Sequence, residues 1–284
     1  MRRHPCRPPL SEESTLNSPG QQWQAIRLRL ERAEEHLNEI ESLVGAFAAQ
    51  EPFRLQEARD AQTGEWVYAL ELALSPSDKI PVVVGDFLHN VRSALNYLLI
   101  GMLPTTKHHR SLQYPISLKD PFGRDPATRR YLDRDPRVRR PWRILKSELQ
   151  PGAYKIVWEF QPFSAGIRPG EVNMLAMLGQ LSNADKHRRL AVVSQGLEDP
   201  GWVIKTGDRE AIRTVGGRVA PPGKEFLRLT QRASMRLTGS PLVILRAKEA
   251  GGGEPAQDIR IGALRDLLLF VRGVLVEILV GYIQ

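Results

Sequence analysis

The chain of 284 residues contains a single cysteine, Cys6. No intramolecular disulfide can form, which fits a reducing compartment and sets the expectation of a cytoplasmic protein. Long uncharged apolar runs are also missing. The nearest candidate for a membrane span, residues 261–283, carries Arg265, Asp266, Arg272 and Glu277, so no stretch of ~20 apolar residues exists. On a helix those four charges share one arc. Leu264, Leu267, Leu268, Val271, Leu275, Ile278, Leu279 and Tyr282 share the other. That is the pattern of an amphipathic core helix, and no membrane partner is expected. The first twenty residues have basic side chains with no apolar run behind them. They are expected to form a disordered tail rather than a secretory signal. The chain has no phosphate-binding G-x-x-x-x-G-K-[ST] loop, no dinucleotide fingerprint and no G-x-S-x-G elbow, which removes the commonest nucleotide-binding and hydrolase signatures. No cofactor is implied.

What is present is basic charge, unevenly placed. The net charge is +8, and residues 124–148 hold nine Lys/Arg against four Asp/Glu, a local +5. A patch of this kind attracts phosphate backbones or acidic partners, and it is also what a solvated Arg-rich loop looks like. Its candidate nucleic-acid contacts are Arg129, Arg130, Arg137, Arg139, Arg140 and Arg143.

Apolar spacing organises the rest. Trp23, Ile26, Leu30, Ala33, Leu37, Ile40, Val44 and Phe47 step by three and four without a break, which predicts a helix over residues 21–50. Its seam would either pack within a bundle or zip a homodimer. Two aromatic and branched runs around AQTG, residues 61–64, predict a hairpin. Helices are expected over 82–102 and 171–187, with a short one near 142–149. Ser77 or Asp78 would cap the first of these, and Pro81 suits its first turn. LAVVSQ, GWVIKT, EFLRLT and PLVILRA read as strands, and AGGGEPAQD as a flexible break. The expected fold is α+β, a helical bundle packed with a small antiparallel sheet. It would form one domain over 21–284, with a basic, loop-rich insertion at 103–170.

Two segments carry polar side chains where chemistry is plausible. In GDFLHNVRSALNY, residues 85–97, Val84, Phe87, Leu88, Val91, Leu95, Leu98 and Met102 share an apolar face. Arg92, Asn96 and His89 form a polar stripe along its edge. An Arg there loses hydration unless something pairs with it. The partner is either an internal acid such as Asp185 or the oxygen of a phosphate or carboxylate ligand. In NADKHRRL, residues 183–190, Lys186, His187 and Arg188 suit the negative end of a helix. Asp185, Lys186 and His187 are nevertheless candidate ligand contacts at the helix-to-sheet junction. Arg92 and His187 are the candidate catalytic pair, since a histidine can move protons near neutral pH.

At these motifs the chain resembles a family of uncharacterised bacterial proteins, common in actinobacteria. They share G-D-hydrophobic-hydrophobic-H-N-hydrophobic-R-S-A-L-D-H and a later N-x-D-K-H-R. FQPF, residues 160–163, the hairpin and the later strands also match, so the resemblance runs from about residue 53 to the end. More distantly, the chain is similar to HEPN domains, helical bundles whose active members are metal-independent ribonucleases. Their signature is an Arg followed four to six residues later by a His. Arg92 matches the Arg, but Tyr97 stands where the His would be, and Asn96 replaces the acid before it. The resemblance implies either that His187 substitutes or that this is a binding-only member. RNA or another nucleic acid is therefore the first expected partner. A non-catalytic interaction module, dimeric through 21–50, is the second reading. A metal-dependent hydrolase using some of Asp86, His89, His108, His109, Asp185 and His187 is the third.

Overall fold

The computed structural model describes residues 18–104, 112–123, 136–164, 173–187, 190–206, 209–214, 222–223, 225–247 and 257–284. The expected N-terminal tail up to residue 17, His108, His109 and residues 250–256 of the expected break lie outside the described residues, while the last two residues of that break, Gln257 and Asp258, are strand.

Helix α1 (Pro19–Ala49) begins where Ser18 accepts a hydrogen bond from the Gln21 backbone N–H, with Pro19 in the first turn. Its seam of Ile26, Leu30, Ala33, Leu37, Ile40 and Phe47 is buried in the chain's own core, where α1 packs along α2 (Lys79–Gly101). The two helices run antiparallel: the Arg29 guanidinium lies 5.8 Å over the Tyr97 ring, and Gln22 lies beside Gly101. Between them the hairpin of β1 (Phe53–Arg59) and β2 (Trp66–Leu72) reverses the chain. Helix α2 starts three residues earlier than its periodicity predicts. There the Ser77 hydroxyl accepts from the Lys79 N–H at 3.3 Å, whereas Asp78 makes no capping bond.

The segment expected as a loop-rich insertion contributes to the core. Helices α3 (Pro136–Glu148) and α4 (Pro151–Glu159) place Trp142, Leu145, Ala153 and Val157 in the main hydrophobic cluster. Trp142 is fully buried, in edge contact with Tyr154, Trp158 and Phe163. Burying such a ring outweighs the weak helix signal of the Arg- and Pro-rich stretch around it. Helix α5 (Met174–Lys186) is capped by the Asn173 side chain, which accepts from the Ala176 N–H at 2.9 Å.

Two antiparallel sheets follow where one was expected. LAVVSQ and GWVIKT belong to a single strand, β3 (Leu190–Thr206). It pairs with β4 (Arg209–Thr214), β5 (Glu225–Leu229) joins β2, and β6 (Ser234–Ala247) lies between β3 and β7 (Gln257–Arg260). The orders are β1-β2-β5 and β4-β3-β6-β7. Val243, Leu245 and Ile259 of the second sheet join the helical core, while Phe53, Leu70 and Leu197 form a smaller cluster linking the sheets.

The C-terminal helix departs from a regular spiral. Helix α6 (Ala263–Phe270) passes into a π-helical turn (Val271–Val276) and then α7 (Glu277–Leu279). A π turn holds one extra residue, so positions after it are rotated relative to a straight α-helix. Ile278, expected on the buried arc, is 44% exposed, while Val276 and Leu279 point inward. Among the described residues, no helix is long and apolar enough to cross a membrane.

Candidate functional site

The polar stripe of α2 forms as its spacing requires. Gly85, His89, Arg92 and Asn96 are three or four residues apart and fall on one side of the helix. His89 is exposed, with its Nε2 3.5 Å from the Ser93 hydroxyl. Arg92 and Asn96 are half-buried.

The second motif meets the first at Gly85. A Cβ on Gly85 would lie 2.7 Å from Asp185 Oδ1 and 3.1 Å from Asp185 Cγ, so glycine is what lets the end of α5 seat there. This places Asp185 seven residues before Arg92, roughly 10 Å away along the axis of α2. The expected Arg92–Asp185 ion pair is not formed among the described residues; the carboxylate caps one end of the stripe instead. Lys186 and His187 are exposed beyond it. His187 closes α5 by donating its backbone N–H to the Asn183 carbonyl.

The other end of the stripe is closed by residues that the sequence motifs left out. Residues 112–117 cross α2 as an irregular strap. The Tyr114 backbone N–H donates to Asn96 Oδ1 at 2.9 Å. The Asn96 oxygen thereby anchors the strap. Ser117 fixes the strap to the helices behind it. Its N–H donates to Gln161 Oε1 at 3.0 Å, and its hydroxyl accepts from Trp142 Nε1 at 2.9 Å. Gln161 is fully buried and returns its amide N–H to the Val157 carbonyl at 3.0 Å. The central polar residue of FQPF is therefore a clamp on the strap.

Three buried polar atoms around this junction have no hydrogen-bond partner among the described residues: Arg92 Nη1, Tyr114 Oη and Ser182 Oγ. Ser182 belongs to the i, i+3 row of α5 that runs from Gly179 to Asp185. Gly179 sits against Ile116 and Asp185 against Gly85, so Ser182 faces α2 between those two contacts. Burial lowers the Arg92 pKa below the ordinary arginine value, and Tyr114 acts in the opposite direction. Burial raises the Tyr114 phenol well above the tyrosine range, with Arg92 opposing. Each side chain is thus near enough to bear on the other. At neutral pH the phenol is a proton donor and Arg92 remains a cation. The junction offers donors and positive charge, and no described carboxylate bonds to Arg92 Nη1.

Of the basic segment, α3 presents Arg140 and Arg143 to solvent and holds Arg139 half-buried. Arg137 contributes backbone to α3; its side chain, like Arg129 and Arg130, lies outside the described residues. Tyr97, the residue at the histidine position of the HEPN-type signature, packs toward α1 under Arg29 and away from Arg92. Among the described residues, no three of His, Cys, Asp and Glu gather as metal ligands would.

Tyr114 and Ser182 are the residues that sequence reasoning missed. The alternation of Leu112, Tyr114 and Ile116 was a usable signal for Tyr114, but alternation does not say which helix the strap will cross. Ser182 immediately precedes the NADKH motif and carries no signal of its own.

No protein-family model, curated protein or solved structure matches the chain significantly.

Proposed function

We propose that this protein is a nucleic-acid-associated, HEPN-like binding protein that holds a phosphate on Arg92 and does not cleave RNA. The observation that carries this reading is the Arg92 guanidinium: half-buried, with a dry Nη1 that no described carboxylate or carbonyl meets. An arginine desolvated in this way is stabilised by a bound oxyanion, whose charge-assisted hydrogen bonds are about twice as strong as neutral ones. Exposed Arg140 and Arg143 on α3 would add attraction for the backbone, and α3 is tied through Trp142 to the strap that borders Arg92. Lack of cleavage follows from Tyr97, which points away from Arg92 and puts no imidazole where the signature would.

The test is fluorescence anisotropy with labelled single-stranded RNA across a salt series. Binding that weakens steeply with salt, loses affinity in Arg92→Met and leaves the RNA intact is the expected result. Negligible affinity for RNA and DNA at low salt would refute the reading.

A second reading, a non-catalytic interaction module, draws on Val82, 67% exposed, and Ile100, which mark the two ends of the outer face of α2. A homodimer through α1 would need that helix's outer face, where Leu28 is exposed, because its seam is buried. Sedimentation velocity on the full chain distinguishes monomer from dimer.

A further inference from the structure

We propose that the strap is a hinged cover: residues 112–116 lift away from α2 in the native protein, turning about Ser117, and the lifted form uncovers Arg92. That lifted form is the one that would admit a backbone phosphate, but the cover does not depend on the nucleic-acid reading.

The strap is unequally held along its length. Among the described residues, 112–116 make one hydrogen bond, from the Tyr114 N–H to Asn96 Oδ1 at 2.9 Å. They belong to no helix or strand, and Pro115 has no N–H to give. Ser117 is fixed twice, through its N–H to Gln161 and through its hydroxyl to Trp142, and both of those partners are fully buried. A segment with a single polar tie opens before one that is pinned twice into the core.

What closes the cover is apolar. Leu112 and Tyr114 are buried, and an Ile116 methyl lies 3.2 Å from where a Cβ on Gly179 would stand. What opposes closure is polar. The Tyr114 hydroxyl is shut in without a partner, and so is Arg92 Nη1. The strap's tie at Asn96 is about one turn of α2 from Arg92, and the phenol and the guanidinium bear on each other electrostatically. Both atoms recover water when the strap lifts. One buried donor left unsatisfied raises an opening constant by roughly 5- to 150-fold, and two act together here. The closed form is the ground state, held by its apolar contacts, and the lifted form is a minor state reached without unfolding α2.

Amide hydrogen exchange, followed by NMR on the full chain without nucleic acid, reads the cover. The Tyr114 amide should exchange at least ~100-fold faster than that of Val91 in the α2 ladder, while Ser117 stays close to Val91. Tyr114→Phe keeps the backbone amide and the buried ring and removes the unsatisfied hydroxyl. It should slow exchange at position 114 by ~10-fold, and Arg92→Met should do the same, because each relieves the closed form. Uncovering of Arg92 is read with a dicarbonyl reagent, which bridges the two terminal nitrogens of a guanidinium. Hydroxyphenylglyoxal, followed by peptide mass spectrometry, should modify exposed Arg140 fast and Arg92 slowly. In Tyr114→Phe the Arg92 rate should fall by the same factor as exchange at position 114, with Arg140 unchanged. A Tyr114 amide that exchanges only together with α2 overturns the cover. Faster exchange in Tyr114→Phe overturns it too, since the hydroxyl would then hold a bond in the closed form. Arg92 modification that ignores the substitution overturns the uncovering of Arg92 and the proposal with it. No RNA is present in either measurement, so the cover and the nucleic-acid reading fail separately.

Discussion

The three-stranded sheet and the α2–α5 junction handle polar groups in opposite ways. On the sheet, Arg228 of β5 meets Asp60 at 2.6 Å and Glu225 at 2.5 Å, and Arg232 pairs with Glu57. These arginines are exposed, and each finds a carboxylate. At the junction Arg92 is half-buried and finds none. The two buried tyrosines repeat the contrast. The Tyr68 hydroxyl donates to the Ala233 carbonyl at 3.2 Å and accepts from the Ala233 N–H at 2.8 Å, so it is fully used. The Tyr114 hydroxyl is equally buried and unused. One region satisfies its polar atoms to hold a shape. The other leaves donors open at a cost in stability, and stability given up in this way is common at binding sites.

The largest test of this comparison is Trp142→Ala. Removing a fully buried indole should cost ~3–5 kcal/mol in urea denaturation, and it releases the strap at Ser117. If phosphate binding survived while stability fell, the strap would not shape the junction. Next is Gly85→Val, expected to cost about 1–3 kcal/mol by driving Asp185 off α2. Combining it with Asp185→Ala should recover most of that loss, because the clash is with the carboxylate. The tyrosines come third. Tyr68→Phe should lose about 1–2 kcal/mol with its two hydrogen bonds, and Tyr114→Phe should lose nothing measurable or gain slightly. Equal losses would erase the distinction between the regions. Arg92→Met should raise stability by about 1 kcal/mol, since a desolvated, unpaired charge is replaced by an apolar side chain of similar length. On the sheet, Arg232→Met should bring no such gain; thermal melts compare the two.

The smallest effect is a pH dependence at the sheet. Hydrogen bonds from Arg228 and from the Gln62 and Thr63 N–H groups hold the Asp60 carboxyl at about 2, below the usual 3.8. A carboxylate depressed in the folded state adds stability above its unfolded pKa and loses it as the pH falls toward the folded value. The difference between the parent protein and Asp60→Asn, followed by chemical denaturation, should therefore be constant above about pH 5. It should shrink as the pH drops from 3.8 to about 2. A difference that grows on acidification would break the assignment.

Much of the helical architecture could be read from periodicity, because a seam such as Ile26 to Phe47 has no other use than to face a helix. The sheets were less legible. Gly196, with φ of +138°, and the register shift between Glu198 and Gly201 let β3 bend as a bulged strand, whereas glycine and proline in sequence signal a reversal. Strands β4 and β7 are short, polar edges, and an edge strand needs no apolar alternation. For the site, helical spacing located Arg92, Asn96 and His89, since a stripe is a local property. It left open whether Asp185 or a ligand oxygen meets Arg92, because contact between helices depends on how closely they approach, and a glycine sets that distance here. For Tyr114 alternation marked an inward side chain but not its neighbours, for the same reason: they are set by the chain segment opposite.

The π turn at Val271–Val276 bears on how this chain can change in length. Everywhere else along the C-terminal helix, losing one residue would turn the following side chains by ~100° and expose Leu279. Inside the wide turn the loss would only restore ordinary winding, and Val276 and Leu279 would still point inward. Gly273, whose added Cβ would meet nothing, is the natural position for such a deletion. A one-residue gap is tolerable at that point of the helix and ruinous a turn earlier.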